Sequence, residues 1–375
     1  MKVGCPRETK DQEYRVALTP NSVRTLVDDG HEVWIEHQAG LGISCSDEDY
    51  TAAGAKIAVD ADELFATAQL IVKVKEPNHV ERMRLKPEHI LFTYLHLASD
   101  PQQTEELLAS NAVCIAYETV TDDNGRLPLL TPMSEIAGRL AVQESAAHLG
   151  KHNGGMGVLL GGATGVEAAH VVIVGGGVVG MNACKIALGL GAKVTILDTS
   201  EQRLEELQKQ FSGQVNCVKS NEEKLTQYAI DADLLIGAVL VPGGAAAKLI
   251  PASLVTKMKP GSVIADVAID QGGCCENSRP TTHRDPTFEI DGVIHYCVAN
   301  IPGAVPITAS EALNNATLPF IRKLASEGLA ALNEDKHLRN GLNVCRGKLT
   351  RPEVAKDLGL AFTEAEVALE ELQAD

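Results

Sequence analysis

The sequence predicts an α/β protein of two doubly wound parallel-sheet domains, the second a Rossmann dinucleotide-binding fold, joined by long helices. Three observations lead there: short apolar runs alternate with helical patterns, a glycine-rich turn opens the second series of runs, and an alanine-rich helical stretch separates the two series. With 375 residues, the chain is also too long for one ordinary domain.

The first series places strands at 2–4, 32–35, 70–74, 90–95 and 113–116, with helical stretches such as 21–28 and 101–110 between them. Such alternation builds βαβ units and a parallel sheet. The second series places strands at 171–174, 193–197, 215–218, 233–238, 263–269 and 293–298, enough for a complete dinucleotide fold. Between the two, 132–149 reads as a helix crossing between domains, with Thr131 suited to the N-cap, Pro132 to the first helical position and Glu135 to the first turn. A second long helix is expected at 309–327, followed by two shorter ones opened by capping-box spacing, Thr350 with Glu353 and Thr363 with Glu366. Having no strand of their own, these last helices are expected to pack on the N-terminal domain. The substrate domain is then 1–130 plus 305–375 and the dinucleotide domain 131–304.

Composition narrows the function classes. Residues are 45% hydrophobic and 22% charged, as in soluble globular proteins. Fifty acidic against 33 basic side chains give a formal charge of −17, which repels nucleic acid and anionic membrane surfaces. Long uncharged stretches such as 234–247 fall short of a bilayer span and are broken by Pro242 and glycines, so no membrane partner is expected. The N-terminus lacks the apolar run of a secretory signal; with nine unevenly spaced cysteines, this points to a reducing cytoplasm. Cys274 and Cys275 read as structural thiols. His148 and His152 are four apart, but no third ligand completes a set, so a solvated helix end is expected and no metal.

The run VVIVGGGVVGMNA reads as strand, glycine turn and helix, with Gly175, Gly177 and Gly180 in G-x-G-x-x-G register. The first glycine makes the tight turn, the second admits a pyrophosphate and the third lets helix and strand pack closely. The next strand ends in Asp198, where a dinucleotide fold needs a carboxylate for the ribose hydroxyls. That charge disfavours a 2′-phosphate and so selects NAD over NADP, with nearby Arg203 acting in the opposite sense.

Ligands of open α/β sheets sit beyond the carboxyl ends of the strands, and polar residues recur there. Lys75 follows LIVKV, whereas Lys73 lies inside the apolar run; His96 ends ILFTYL; Asp270 ends VIADVAI; Asn300 ends HYCVA. Taken singly, each also has a structural explanation as an ion pair, a core histidine or a turn cap. The segment 276–283, ENSRPTTH, fits an ordered functional loop and a plain connector equally. There is no P-loop and no G-x-S-x-G elbow.

The ordered set EYRVALTP at 13–20, VKVKEP at 72–77, YLHLA at 94–98, MSEIAGRLA at 133–141, the glycine turn, DQGGC at 270–274, SRPTTH at 278–283 and YCVANIPGAVP at 296–306 covers essentially the whole chain. With it the sequence resembles the alanine dehydrogenase family, which it shares with the NAD-binding subunit of proton-pumping transhydrogenase. The resemblance implies reversible, NAD-dependent oxidative deamination of L-alanine to pyruvate and ammonia by a homohexamer. It also implies that Arg15 and Lys75 hold the substrate carboxylate and that His96 and Asp270 form the acid/base pair. Its cofactor positions fall on Ser134, Gly175, Gly177, Gly180, Asp198, Arg203, Ser220, Val239, Leu240, Asp270 and Asn300. Met156 and Ile307 depart from the family pattern, which has a basic side chain at each. The competing readings are a transhydrogenase-like NAD(H)-binding subunit, which needs no amino-acid pocket, and a catalytically inactive NAD sensor.

Overall fold

The structure is a computed structural model that describes residues 1–239 and 246–374. Among these, the chain forms two compact units, one of 1–133 with 305–374 and one of 134–239 with 246–304. Its strands, in chain order, are β1 (Lys2–Cys5), β2 (Glu32–Glu36), β3 (Lys56–Ala58), β4 (Leu70–Val72), β5 (Ile90–Thr93), β6 (Val113–Ala116), β7 (His170–Val174), β8 (Lys193–Asp198), β9 (Asn216–Lys219), β10 (Leu234–Gly237), β11 (Val263–Asp266), β12 (Thr287–Ile290), β13 (Val293–Tyr296), β14 (Leu342–Cys345) and β15 (Lys348–Leu349).

In the first unit the sheet order is β15-β14-β6-β5-β4-β1-β2-β3. Pairing is parallel from β3 across to β6 and antiparallel for β14 and β15. The strands β4, β5 and β6 are fully buried apolar runs, as parallel strands covered on both faces must be. Phe65, Ile71, Leu91, Leu107, Cys114 and Val344 share one core cluster, so the C-terminal part of the chain is built into the N-terminal sheet. The expectation that this part brings no strand is corrected: the hairpin β14–β15 pairs onto β6. Short edge strands of this kind, β3 included, carry too few residues for a periodic signal.

The second unit has the order β12-β13-β11-β10-β7-β8-β9, parallel throughout except for β12 against β13. Its core contains Val172, Leu235, Leu254, Val255 and Ile264. The doubly wound α/β class is therefore what the chain forms, with antiparallel edges added to both sheets.

Local chemistry explains most helix starts. Helix Pro20–Asp28 has Thr19 as N-cap and proline at its first position. Helix Thr131–His148 differs from expectation: Thr131 lies within it, donating its hydroxyl to the Leu127 carbonyl at 3.0 Å instead of capping. The Thr350 capping box also does not form. Helix Pro352–Leu358 begins after Arg351, and the Thr350 hydroxyl donates to the Leu342 carbonyl at 2.9 Å, where the hairpin competes successfully for it. The last helix is Ala365–Ala374, and the second long helix runs Pro306–Glu327.

Candidate active site

In both sheets the order of strands reverses beside the first strand of the unit, between β1 and β4 and between β7 and β10. The loops leaving the carboxyl ends there are where an open α/β sheet builds a ligand site. In the first unit they carry Arg15, Lys75 and His96.

Arg15 sits in the loop 6–19 after β1 and is almost fully buried. Its Nε and Nη2 donate to the two carboxylate oxygens of Glu13 at 2.7 and 2.5 Å, and Nη1 approaches Met133 Sδ at 3.1 Å. Burial opposes its charge, yet the Glu13 hydrogen bonds and charge outweigh that and hold its pKa above the ordinary arginine value. The loop is fastened by the returning chain. Ser310 accepts the Val16 amide at 3.0 Å, and buried Asn314 accepts the Thr19 amide at 2.9 Å and the Ser22 hydroxyl at 2.6 Å. Both come from helix Pro306–Glu327, so this part of the site exists only once the chain has come back from the second unit.

Lys73 and Lys75, two apart in one strand-end segment, have opposite fates. Lys73 is buried and donates to Glu81 at 2.8 Å and to Glu8 at 3.3 Å. Burial disfavours its ammonium, but the two carboxylates raise its pKa above the usual lysine range. Lys75 is only half-buried, and no ion pair of its ammonium occurs among the described residues. It acts on Glu76 through its charge: burial works to raise that carboxyl, but Lys75 and Lys10 bring it down to about 2.

His96 follows β5 with left-handed main-chain angles, φ 50° and ψ 42°. Such backbone is uncommon outside glycine and costs on the order of 1–3 kcal/mol, so the surroundings must impose it. They do so through Glu118, whose carboxylate accepts the His96 amide at 2.6 Å and the Leu95 amide at 3.1 Å. The imidazole stacks on Tyr94, with centroids 5.9 Å apart and planes 4° from parallel, and is one-third exposed. Tyr94 in turn donates to the Leu129 carbonyl at 2.6 Å. His96 thus keeps a ring face fixed and an edge open, as a proton carrier needs.

In the second unit the three glycines play three parts. Gly175 has φ 104°, and an added Cβ would lie 2.5 Å from the Ala238 carbonyl oxygen. A Cβ on Gly180 would lie 1.9 Å from the Gly175 carbonyl oxygen, whereas one on Gly177 would meet nothing within 4 Å. The middle glycine therefore faces open space at the N-terminus of helix Val178–Gly189, where unpaired amides and the helix dipole favour phosphate. Asp198 accepts the Gly176 amide at 2.7 Å and the Ser200 amide at 2.8 Å, and its main-chain carbonyl accepts the Ser220 amide. Arg203 donates through Nε to the Gly176 carbonyl at 2.7 Å and through Nη1 to Glu206 at 2.9 Å, and Lys219, opposite Asp198 on β9, donates to Glu201 at 2.6 Å, so both cations near Asp198 that would favour a 2′-phosphate are engaged elsewhere. Ser134 shares a helix face with Gly138, whose own Cβ position lies 2.2 Å from the Val179 carbonyl oxygen, so the helices touch there. Val239 follows β10 and is half-buried, while Leu240 lies outside the described residues. An open glycine turn beside a carboxylate at the second strand end fits a dinucleotide with an unmodified ribose.

Asp270 and Asn300 are joined: the Asn300 amide donates to Asp270 Oδ1 at 3.2 Å, and His283 Nε2 lies 3.1 Å from the Asn300 carbonyl oxygen. Asp270 is exposed on the short helix Val267–Gln271, so the strand expected at 263–269 ends at Asp266. Asp266 is the residue sequence reasoning missed here. Fully buried, it accepts the Cys274 amide at 3.1 Å, the Cys275 amide at 3.0 Å and the Ser278 hydroxyl at 2.6 Å. It thereby pins the segment after Asp270 to the segment 276–283, which is an ordered loop, with Thr281 bridged to Val298. An aspartate inside an apolar strand was the available signal. In the first unit the missed residues are Glu8, Glu13 and Glu118, whose partners are far away in sequence or hidden by ordinary spacing.

Met156 donates its amide to the Gly261 carbonyl, and Ile307 is exposed in the first turn of its helix. The helix end is solvated only in part: His152 is exposed, whereas His148 is half-buried, with its Nδ1 lacking a partner among the described residues and its ring 6.0 Å from Tyr296. Among the described residues no group of three His, Cys, Asp or Glu side chains is placed to hold a metal ion. No described helix is long and apolar enough to cross a membrane.

Comparisons with known proteins agree over nearly the whole length. Residues 4–137 match the model of the alanine dehydrogenase/PNT N-terminal domain, and residues 141–352 that of the C-terminal domain. The alanine dehydrogenase of Halomonas elongata is 54% identical over 97% of this chain and 99% of its own. A solved L-alanine dehydrogenase superposes with TM-score 0.91 at 52% identity, covering 96% of this chain and 99% of that one. A transhydrogenase from Sinorhizobium meliloti, 22% identical with TM-score 0.79 over 94% of this chain and 99% of that one, shares the fold.

Proposed function

Because the chain belongs to the alanine dehydrogenase/PNT family, we infer that it is an NAD-dependent amino-acid dehydrogenase that interconverts L-alanine with pyruvate and ammonia. The observation that carries this is the presence on one chain of both an open glycine turn and a fastened set of cationic and imidazole side chains at the strand ends of the other sheet. A subunit that only binds NAD(H) needs the first and not the second.

L-Alanine offers one carboxylate. Arg15, rigid and charged, and Lys75, with its ammonium outside any ion pair among the described residues, are the groups assigned to hold it. NAD, when bound, supplies the acceptor for the hydride that leaves the α-carbon. The turn from Gly175 to Gly180 suits its pyrophosphate and Asp198 its ribose hydroxyls, with Arg203, Ser220 and Val239 beside them, Ser134 among the remaining cofactor positions, and Asp270 and Asn300 assigned to the nicotinamide side. Loss of hydride leaves an imine; water adds to its carbon, and the nitrogen departs as ammonia. The sum is alanine, water and NAD⁺ to pyruvate, ammonium, NADH and one proton. His96 is assigned to move the proton at the attacking water and the departing amine, since imidazole takes and gives protons near neutrality. Asp270, with one oxygen holding the Asn300 amide, is assigned to orient water and the cationic nitrogen.

The family resemblance further points to a homohexamer, which light scattering checks, and nine free thiols suit a reducing cytoplasmic setting. The decisive experiment is a screen of L-alanine, L-serine, glycine and 2-aminobutyrate with NAD and with NADP, following reduced cofactor. NADH formation with alanine first among these supports the reading. Activity with none of them replaces it with the sensor or the NAD(H)-binding subunit.

A further inference from the structure

We propose that Glu118 is a positioning residue for His96, one of three glutamates that fix the main chain of the side chains assigned to the substrate. The proposal rests on the assignment of Arg15, Lys75 and His96 made above. These residues follow three different strands, β1, β4 and β5, and each has its own amide accepted by a glutamate. Glu13 accepts the Arg15 amide at 3.0 Å. Glu8 accepts the Val74 amide at 2.7 Å and the Lys75 amide at 3.4 Å. Glu118 accepts the Leu95 amide at 3.1 Å and the His96 amide at 2.6 Å. The glutamate side chains are only 3%, 0% and 11% exposed for Glu8, Glu13 and Glu118.

Carboxylates so nearly dry are costly unless donors satisfy them, and here main-chain amides of the strand-end loops are among those donors. At His96 the arrangement does the most. The residue is left-handed, and Glu118 reaches it from the turn Tyr117–Thr119 after β6, the strand that neighbours β5. One carboxylate thus clamps two adjacent strand-end loops. Its nearest approach to the imidazole is 3.8 Å, from Oε1 to Nδ1, beyond hydrogen-bond distance, so its hold on His96 runs through the main chain. Oε1 accepts both amides, and Oε2 adds only a longer contact of 3.3 Å to the Leu95 amide, so a glutamine at 118 can keep the clamp with its carbonyl oxygen, whereas an alanine cannot.

The test uses the full-length enzyme with Glu118→Ala, Glu118→Gln and, for contrast, Glu13→Gln. Glu118→Ala should lower kcat about 100-fold with KM for L-alanine and Kd for NADH held within about 3-fold, while Glu118→Gln keeps kcat within about 5-fold. Glu13→Gln should do the reverse, raising KM about 10-fold through Arg15 with a smaller change in kcat. Amide hydrogen exchange at Leu95 and His96 is read on the same proteins and needs no turnover: about 10-fold faster in Glu118→Ala and unchanged in Glu118→Gln. Unaltered exchange in Glu118→Ala overturns the proposal, as does a Glu118→Gln variant as damaged as Glu118→Ala. A wild-type enzyme inactive on every small amino acid, with the exchange pattern as expected, overturns the assigned activity and leaves the clamp standing.

Discussion

The two sheets are built on one plan and used differently. Outward from the point of reversal, the first reads β3-β2-β1-β4-β5-β6 and the second β9-β8-β7-β10-β11-β13, the same order in each. The likeness extends to a single bond. The carboxylate that ends β2, Glu36, accepts the Arg7 amide at 2.9 Å, and the one that ends β8, Asp198, accepts the Gly176 amide at 2.7 Å. Arg7 and Gly176 each stand two residues past the end of the unit's first strand. What differs is the loop that follows. After β7 a short glycine turn enters helix Val178–Gly189 and leaves open space and unpaired amides. After β1 the residues 6–19 intervene and carry Glu8, Lys10, Glu13 and Arg15 into buried or bridged pairs. One topology therefore presents main-chain dipoles in one unit and cations in the other, which under the proposed function serve a phosphate and a small carboxylate. The first connection past the first strand decides which.

If the chemistry is divided this way, His96→Ala and Asp270→Ala should each lower kcat by about 10²–10⁴-fold while NADH titration by fluorescence still shows binding. Near-normal turnover in either removes that residue from its role. Within the glycine turn, Gly180→Ala places a Cβ against the Gly175 oxygen and should cost more than about 3 kcal/mol in denaturant unfolding. Gly177→Ala, with empty space at its Cβ, should fold normally and weaken NADH about 10-fold or more. Equal loss of stability in the two variants would refute the separate roles. The paired carboxylates give a finer contrast: Asp198→Asn should raise the Kd for NADH about 5-fold, whereas Glu36→Gln should leave it unchanged and cost at most about 1 kcal/mol of stability.

A pH dependence separates cores from sites. His295 on β13 is fully buried, neither ring nitrogen has a hydrogen-bond partner among the described residues, and its ring stacks on Phe288 at 5.0 Å. Burial lowers its pKa from 6.5 to about 4. Between those values the unfolded chain binds a proton that the folded chain refuses, so stability present above pH 6.5 is lost as pH falls toward 4, by up to about 3 kcal/mol. His295→Phe should flatten that part of the stability–pH curve; an undiminished slope would place the proton elsewhere.

Much of the site was legible because strand-end position and residue type are local properties. The glycine register, Asp198 and the polar residues after β4, β5, β11 and β13 all stand in the sequence within a few residues of an apolar run. Sequence placed Lys73 inside the apolar run and Lys75 after it, but only folding gives Lys73 its two buried glutamates. It also missed Glu118 and Asp266, whose work is to accept main-chain amides from loops that no spacing rule links to them.

The sequence by itself determined the class of fold, the dinucleotide turn and the family, because periodicity and short motifs need only neighbours along the chain. Only the tertiary structure decided that Ser310 and Asn314, some 300 residues later, fasten the loop bearing Arg15, that a hairpin closes the edge beside β6, and that His96 is held left-handed. Those outcomes depend on which buried donors find acceptors when distant segments meet, a balance that no single stretch of sequence contains.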